Sequence, residues 1–361
     1  HEIENILEKA KQESLITSTE HIPNTGLNPD LKTKYYRFIH DKVQSAIYEL
    51  MSTAEKAQLH KEIGLALNSA YSVDLQNIRL YEIATHLNKA KTTLNKEEKK
   101  LLLKINLKAA KRSKETGGFI PAYKFCNLGF QLMKEKSSGE HSHNLVFDYH
   151  IELAEIAALN GNHSEMDHLL SDAEKIAQTL LEKIRIHEIR TASLVAQNKQ
   201  QDAINETLIS LNLAGIKLPK TPTAPQMLWQ LIKTRRKIQK ASTDRIADLP
   251  PMTDQLELAI MRSMAQVISV LFRTNPNLFA LVVFKLIDLT LKRGVAPISP
   301  VSFITFGLLT NVIFNDIDKA YELGQLGMKL FEKIDGKAHY AQAYYIYNVG
   351  ISPWKEPLKN T

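Results

Sequence analysis

Small side chains recur at matched offsets along these 361 residues, and that pattern constrains the fold more than any other feature. Take Ala122, Met166, Ala203 and Ala320 as anchors. Seven residues on stand Gly129, Ala173, Ser210 and Gly327, and twelve residues back stand Ala110, Ala154, Thr191 and Leu308. Ten of these twelve positions are small. Two helices that cross closely need small side chains where their axes are nearest, and a step of seven keeps such residues on one helical face. Each anchor falls just inside the second helix of an expected hairpin, with its earlier partner on the first. The anchors are 44, 37 and 117 residues apart, the last spacing being three repeats of about 39. This predicts an all-α chain of irregular α-hairpin repeats stacked as a superhelix.

Apolar periodicity supports that reading. It predicts helices over 53–69, 76–90, 96–115, 120–136, 145–160, 164–179, 181–197, 200–214, 225–241, 253–273, 277–292, 300–314, 316–334 and 337–349. Short loops between them make sequential helices antiparallel neighbours. Ser52–Glu55 and Asn95–Glu98 have the spacing of capping boxes. One stretch breaks the pattern. Leu15–Thr19 and Tyr35–Ile39 are β-branched or aromatic, flank a loop rich in Pro, Asn and Gly, and lie between two helices. Helix–strand–loop–strand–helix is the tail of a winged-helix module. Breaks at Leu213–Pro219 and Leu249–Pro251 end helices. The expected division is a winged-helix-like 1–51, a first lobe 52–219, a linker with a basic helix 220–251, and a second lobe 252–361.

Composition narrows the chemistry. Cys126 is the only cysteine, which excludes an internal disulfide framework and a multi-cysteine metal site and fits a reducing, cytoplasmic setting. The net charge of +7, with 7% aromatic residues, does not imply nucleic acid. The basic residues gather at Lys96–Lys114 and at Arg235, Arg236, Lys237 and Lys240. These read first as solvated helix faces and second as phosphate-contacting or lipid-facing patches. The first residues lack the pattern of a signal peptide, and no Met opens the chain, so a piece of a longer protein is expected. The longest uncharged run, Gly294–Asn315, is broken by Pro297 and Pro300 and is expected to be a buried core helix, not a membrane span.

The run Tyr36-Arg37-Phe38-Ile39-His40-Asp41-Lys42-Val43-Gln44-Ser45-Ala46-Ile47-Tyr48 resembles a junction in large bacterial signalling ATPases of the STAND class. There an aromatic–hydrophobic–His-Asp run closes the winged-helix part of the nucleotide switch, and a tetratricopeptide-like region follows. Leu213–Pro219, Gly307–Gly327 and Ser352–Leu358 are similar to stretches of that helical region, in the same order. Hybrid members of the class carry a serine/threonine kinase in front and sensor or histidine-kinase modules behind. The resemblance implies that His40 contacts the β-phosphate of ADP in the intact parent, which would hold ATP or ADP and Mg. This chain itself contains no phosphate-binding loop and no His-Arg-Asp or Asp-Phe-Gly kinase element, and no cofactor is expected in it. The alternative role for the pair is structural, His40 ending a strand and Asp41 capping the next helix.

Other constellations read as structural. His141, His143, His150 and His163 are expected to be solvated loop histidines, and Cys126 a core residue. Tyr340, Tyr344 and Tyr347 share a face of the last helix, and Trp354 follows. They form either a packing surface for a further repeat, open to self-association, or part of a ligand groove. The expected function is a non-catalytic regulatory module. It binds a protein or small-molecule signal on a concave face and couples it to adjoining ATPase and output domains. A helical enzyme built from distant His and carboxylates, or a nucleic-acid-binding repeat, are the competing readings. A pocket of shifted titratable groups would favour the first, and steeply salt-dependent DNA or RNA affinity the second.

Overall fold

Polar side chains fix where the helices begin. Ser52 N donates to Glu55 Oε2 at 2.8 Å while Glu55 N donates to Ser52 Oγ at 3.2 Å. Asn95 and Glu98 exchange the same pair of bonds at 2.7 and 2.9 Å. Thr179–Glu182 and Thr223–Gln226 form two more such boxes that the sequence reading missed. The computed structural model describes residues 2–19, 35–70, 77–135, 139–334 and 337–356. The expected loop at 20–34, the start of the helix expected at 76, and Pro357–Leu358 lie outside them. The described chain is all-α apart from one two-stranded sheet, and it divides into two compact units, His1–Ile156 and Ala157–Thr361.

The first unit opens with α1 (Glu2–Gln12), β1 (Ile16–Thr19), β2 (Tyr35–Phe38) and α2 (Asp41–Leu50). The strands pair antiparallel with Ile16 opposite Phe38. Hairpin helices follow: α3 (Thr53–Ala70), α4 (Leu80–Lys89), α5 (Lys96–Glu115) and α6 (Phe119–Lys134), then α7 (His143–Leu159), within which the unit boundary falls. α3 packs on α4, α4 on α5 and α5 on α6. Ala110 and Ala122 are buried. Gly129 faces the ring of Tyr149, whose hydroxyl donates to Leu103 O at 2.7 Å.

The second unit continues with α8 (His163–Ile176), α9 (Leu180–Ala196), α10 (Gln200–Leu213), α11 (Ala224–Ala241), the short α12 (Thr243–Ala247), α13 (Gln255–Thr274), α14 (Pro276–Arg293), α15 (Ser299–Phe314), α16 (Ile317–Phe331) and α17 (Lys337–Gly350). A 3-10 turn at Ser352–Trp354 follows. The α9–α10 hairpin packs directly on α13, and α13 to α16 pack in sequence. Buried Glu188 of α9 ties this junction to Arg262 of α13 at 3.1 Å. The basic helix α11 is therefore no linker between two lobes. Its inward stripe of Leu231, Thr234 and Ile238 is buried, and it lies along α14. One hydrophobic core runs from Ile184 to Ile351 through the residues expected to be linker, because Pro and Gly there end helices without separating what the helices bury.

Eleven of the twelve matched positions are buried. The exception is Leu308, which is half-buried. One residue earlier, Gly307 takes the close approach: a Cβ there would lie 2.8 Å from Ala320 O. A Cβ on Gly327 would lie 2.8 Å from Pro300 O. Within the expected core helix, α15 buries most of its residues. Among the described helices only α13 is long and apolar enough to cross a membrane, and half of that stretch is buried.

Candidate functional site

The junction of α2, α3 and α4 gathers titratable groups from three helices. His40 occupies the N-cap position of α2 in extended conformation, exposed and without a side-chain capping bond, so it and not Asp41 holds the cap position. Asp41 sits in the first turn, where its charge favours the helix dipole. Two turns on, Tyr48 Oη lies 2.9 Å from His60 Nε2 of α3, and His60 Nδ1 lies 2.9 Å from His86 Nδ1 of α4. A bond between two Nδ1 atoms requires one ring to donate and the other to accept, so one of them must be unprotonated there. Burial lowers the pKa of His60, with Lys89 and His86 adding to it. Burial also lowers that of His86 against the opposing pull of Glu82. A cavity of about 630 Å³ opens beside the three rings, lined on its apolar side by Phe38, Ile47 and Met51. Elsewhere α2 is uncovered: none of its residues is buried, and Leu50 is 87% exposed.

The aromatic helix separates into two parts. Tyr340 and Tyr344 are about half exposed and stack on one another at 5.8 Å, with Phe331 edge-on to Tyr340. Tyr347 is 9% exposed, packed beside Gly324 and bonded to Glu356, which also accepts from Tyr321 at 2.5 Å. Tyr347 is thus a packing residue, while Tyr340, Tyr344 and the 64% exposed Trp354 remain on the surface.

Several of the basic residues are engaged internally. Lys99 is buried, and Lys114 reaches Glu152 at 2.7 Å and Glu155 at 3.0 Å. Burial pulls Lys114 towards neutrality, but the two carboxylates outweigh it and raise its pKa. Arg112 donates to Asn77 O and Lys111 lies 3.5 Å from Asp148. Arg235 pairs with Asp316 at 2.6 Å across α11 and α16 and lies over the Phe314 ring, whereas Arg236 is exposed. A charged face is half solvated here and half structural.

The histidines expected to be solvated are half-buried. His143 stacks on Phe147 and His150 meets Phe130 edge-on, while His163 bonds Ser193 Oγ at 3.0 Å. Burial pushes the Cys126 thiol far up, which leaves it without nucleophilic character. Among the described residues no group of three His, Cys, Asp or Glu is arranged to hold a metal. The His60–His86 pair was missed because its members stand 26 residues apart on different helices.

No protein-family model matches the chain, and no solved structure matches it. It is similar to a protein named hybrid signal transduction histidine kinase G of Dictyostelium discoideum, at 24% identity over 347 residues. The match covers 82% of this chain and 10% of that protein, so the chain spans about a tenth of its curated relative's length. The similarity therefore joins an all-α chain to a signalling protein.

Proposed function

We propose that this chain is a helical-repeat regulatory module of a larger signalling protein of the STAND-ATPase type. It takes a protein or small-molecule signal and couples it to a nucleotide switch ahead of it and output modules behind. The observation that carries this reading is the similarity to the histidine kinase, which covers 82% of the chain and thus reaches into both helical units. The α2 helix supplies a path for coupling, since it follows directly on its N-cap His40 and docks Tyr48 onto the first repeat hairpin. Movement of α3 against α4 is felt at the His40 end through that contact. In this reading catalysis, ATP or ADP and Mg belong to the parent protein, the setting is cytoplasmic, and the exposed Tyr340–Tyr344 face serves contacts with neighbouring domains or a second copy.

The test has two arms. The natural protein's coding sequence should contain a phosphate-binding loop upstream of His40, and the purified chain should show helical circular dichroism without ATP hydrolysis. A parent lacking any nucleotide-binding domain would overturn the proposal. ATP turnover by the purified chain, abolished by a substitution within it, would also do so and favour the enzymatic reading.

A further inference from the structure

We propose that a lysine-lined cavity in the second unit binds a small organic phosphate: a phosphomonoester carried on a partly apolar body. The cavity, of about 310 Å³, forms where the turn at 215–219 meets α11 and α14. Lys217, Lys233, Lys237 and Lys285 line it, and Asp288 is its one lining carboxylate. That carboxylate is already taken. Lys237 Nζ bonds Asp288 Oδ1, and Lys292 Nζ lies 3.0 Å from Oδ2. Lys217, Lys233 and Lys285 have no carboxylate partner among the described residues, although Lys233 lies 4.8 Å from the Trp229 ring centre.

Three ammonium groups around one hollow repel one another, and an anion entering it turns that repulsion into attraction. A phosphate dianion suits the task because it offers several strong acceptors to lysines arriving from different directions. The rest of the lining mixes the polar Gln230 and Thr234 with Leu218, Leu281 and Phe284, so a carbon body carrying the phosphate finds both apolar contact and hydrogen-bonding groups beside the charges. The volume lies at the small end of ligand cavities, in the range of a sugar phosphate or mononucleotide.

The walls are also held in place. Gly215 makes the turn at φ +75, and Asn275 and Asn277 at the start of α14 donate to Lys220 O and Pro222 O, each at 3.0 Å. A second basic cavity, beside Lys104 and Lys108 in the first unit, is less suited, since its Arg112 and Lys111 are already engaged by Asn77 O and Asp148. The role of the phosphate as the signal rests on the regulatory reading above, but its binding does not. Lysine-dependent binding in a chain whose parent lacks an ATPase would keep the site and discard that reading.

The test uses Trp354→Phe, which leaves Trp229 as the single tryptophan of the two in the sequence. Adenosine 5′-monophosphate should change Trp229 emission saturably, as Lys233 turns from the ring towards the phosphate. Calorimetry should show Lys217→Ala and Lys285→Ala each weakening binding about tenfold or more, the size expected for one lost charged hydrogen bond. Lys240→Ala, on α11 with Lys233 and Lys237 but outside the cavity, should leave binding unchanged. Inorganic phosphate should bind more weakly, lacking a body for the apolar wall. Vesicles of phosphatidylcholine with and without phosphatidylinositol 4-phosphate distinguish a lipid headgroup from a free phosphate ester. Lysine-dependent binding of either source supports the site. No saturable response to any of the three phosphates, or equal binding by the Lys217→Ala and Lys285→Ala chains, would overturn it.

Discussion

Two imidazoles sharing one hydrogen bond give this chain a definite pH response. Burial makes His60 and His86 harder to protonate in the folded chain than their ordinary value of 6.5. Lys89 acts in the same direction on both, and Glu82 opposes it at His86. Below 6.5 and down to the folded values, the unfolded chain therefore holds more protons than the folded one. Stability conferred by the pair is present above 6.5 and is lost as pH falls through that window. A second proton on the pair also leaves two Nδ1 donors facing each other. Protection factors of the α3 and α4 amides, taken relative to the intrinsic exchange rate at each pH, should fall on moving from about pH 7.5 to about pH 5.5, by an amount matching about 1 kcal/mol. His60→Leu with His86→Leu should flatten that response, and an unchanged slope in the double variant would count against the pair. Nothing in the sequence marks these two residues as partners, since helical periodicity locates each one only on its own helix.

Helix pairing was more legible than side-chain pairing. Capping boxes at Ser52 and Asn95 were readable because they are local, whereas Thr179 and Thr223 carry the same spacing and were overlooked. The matched small residues marked the closest approaches, with one slip of register. The offset rule pointed to Leu308, but Gly307 is the residue in contact with Ala320. Gly129 shows what the small residues do. A methyl group there would sit 2.6 Å from Tyr149 Cζ, against a ring held by its bond to Leu103 O. Gly129→Ala should destabilise the first unit by about 1–3 kcal/mol, read from urea unfolding, because the ring has to move and give up that bond. Full stability in Gly129→Ala would mean that α6 and α7 do not approach through this residue.

At the level of the whole chain, the fold class was legible and the division of the chain was not. Prolines and glycines at 215–225 and 250–251 correctly ended helices, but helix ends do not reveal what the helices bury. Leu231 and Ile238, seven residues apart on one face, were the signal that α11 packs inward. The same docking brings Lys233 and Lys237 beside Lys217 and Lys285, so the cavity exists because the expected linker is part of the core. The histidine-kinase relative supports a place in signalling, with most of its length lying beyond this match.

All of this rests on hairpins meeting through side chains too small to keep their backbones apart. Native-state hydrogen exchange on Gly327→Val tests that most directly, because the branched side chain would be driven into Pro300 O and Ile304 of α15. The expected result is a loss of protection in α15 and α16 equivalent to about 2 kcal/mol or more, with α5 and α6 unaffected. Unchanged protection in α15 and α16 would contradict the account.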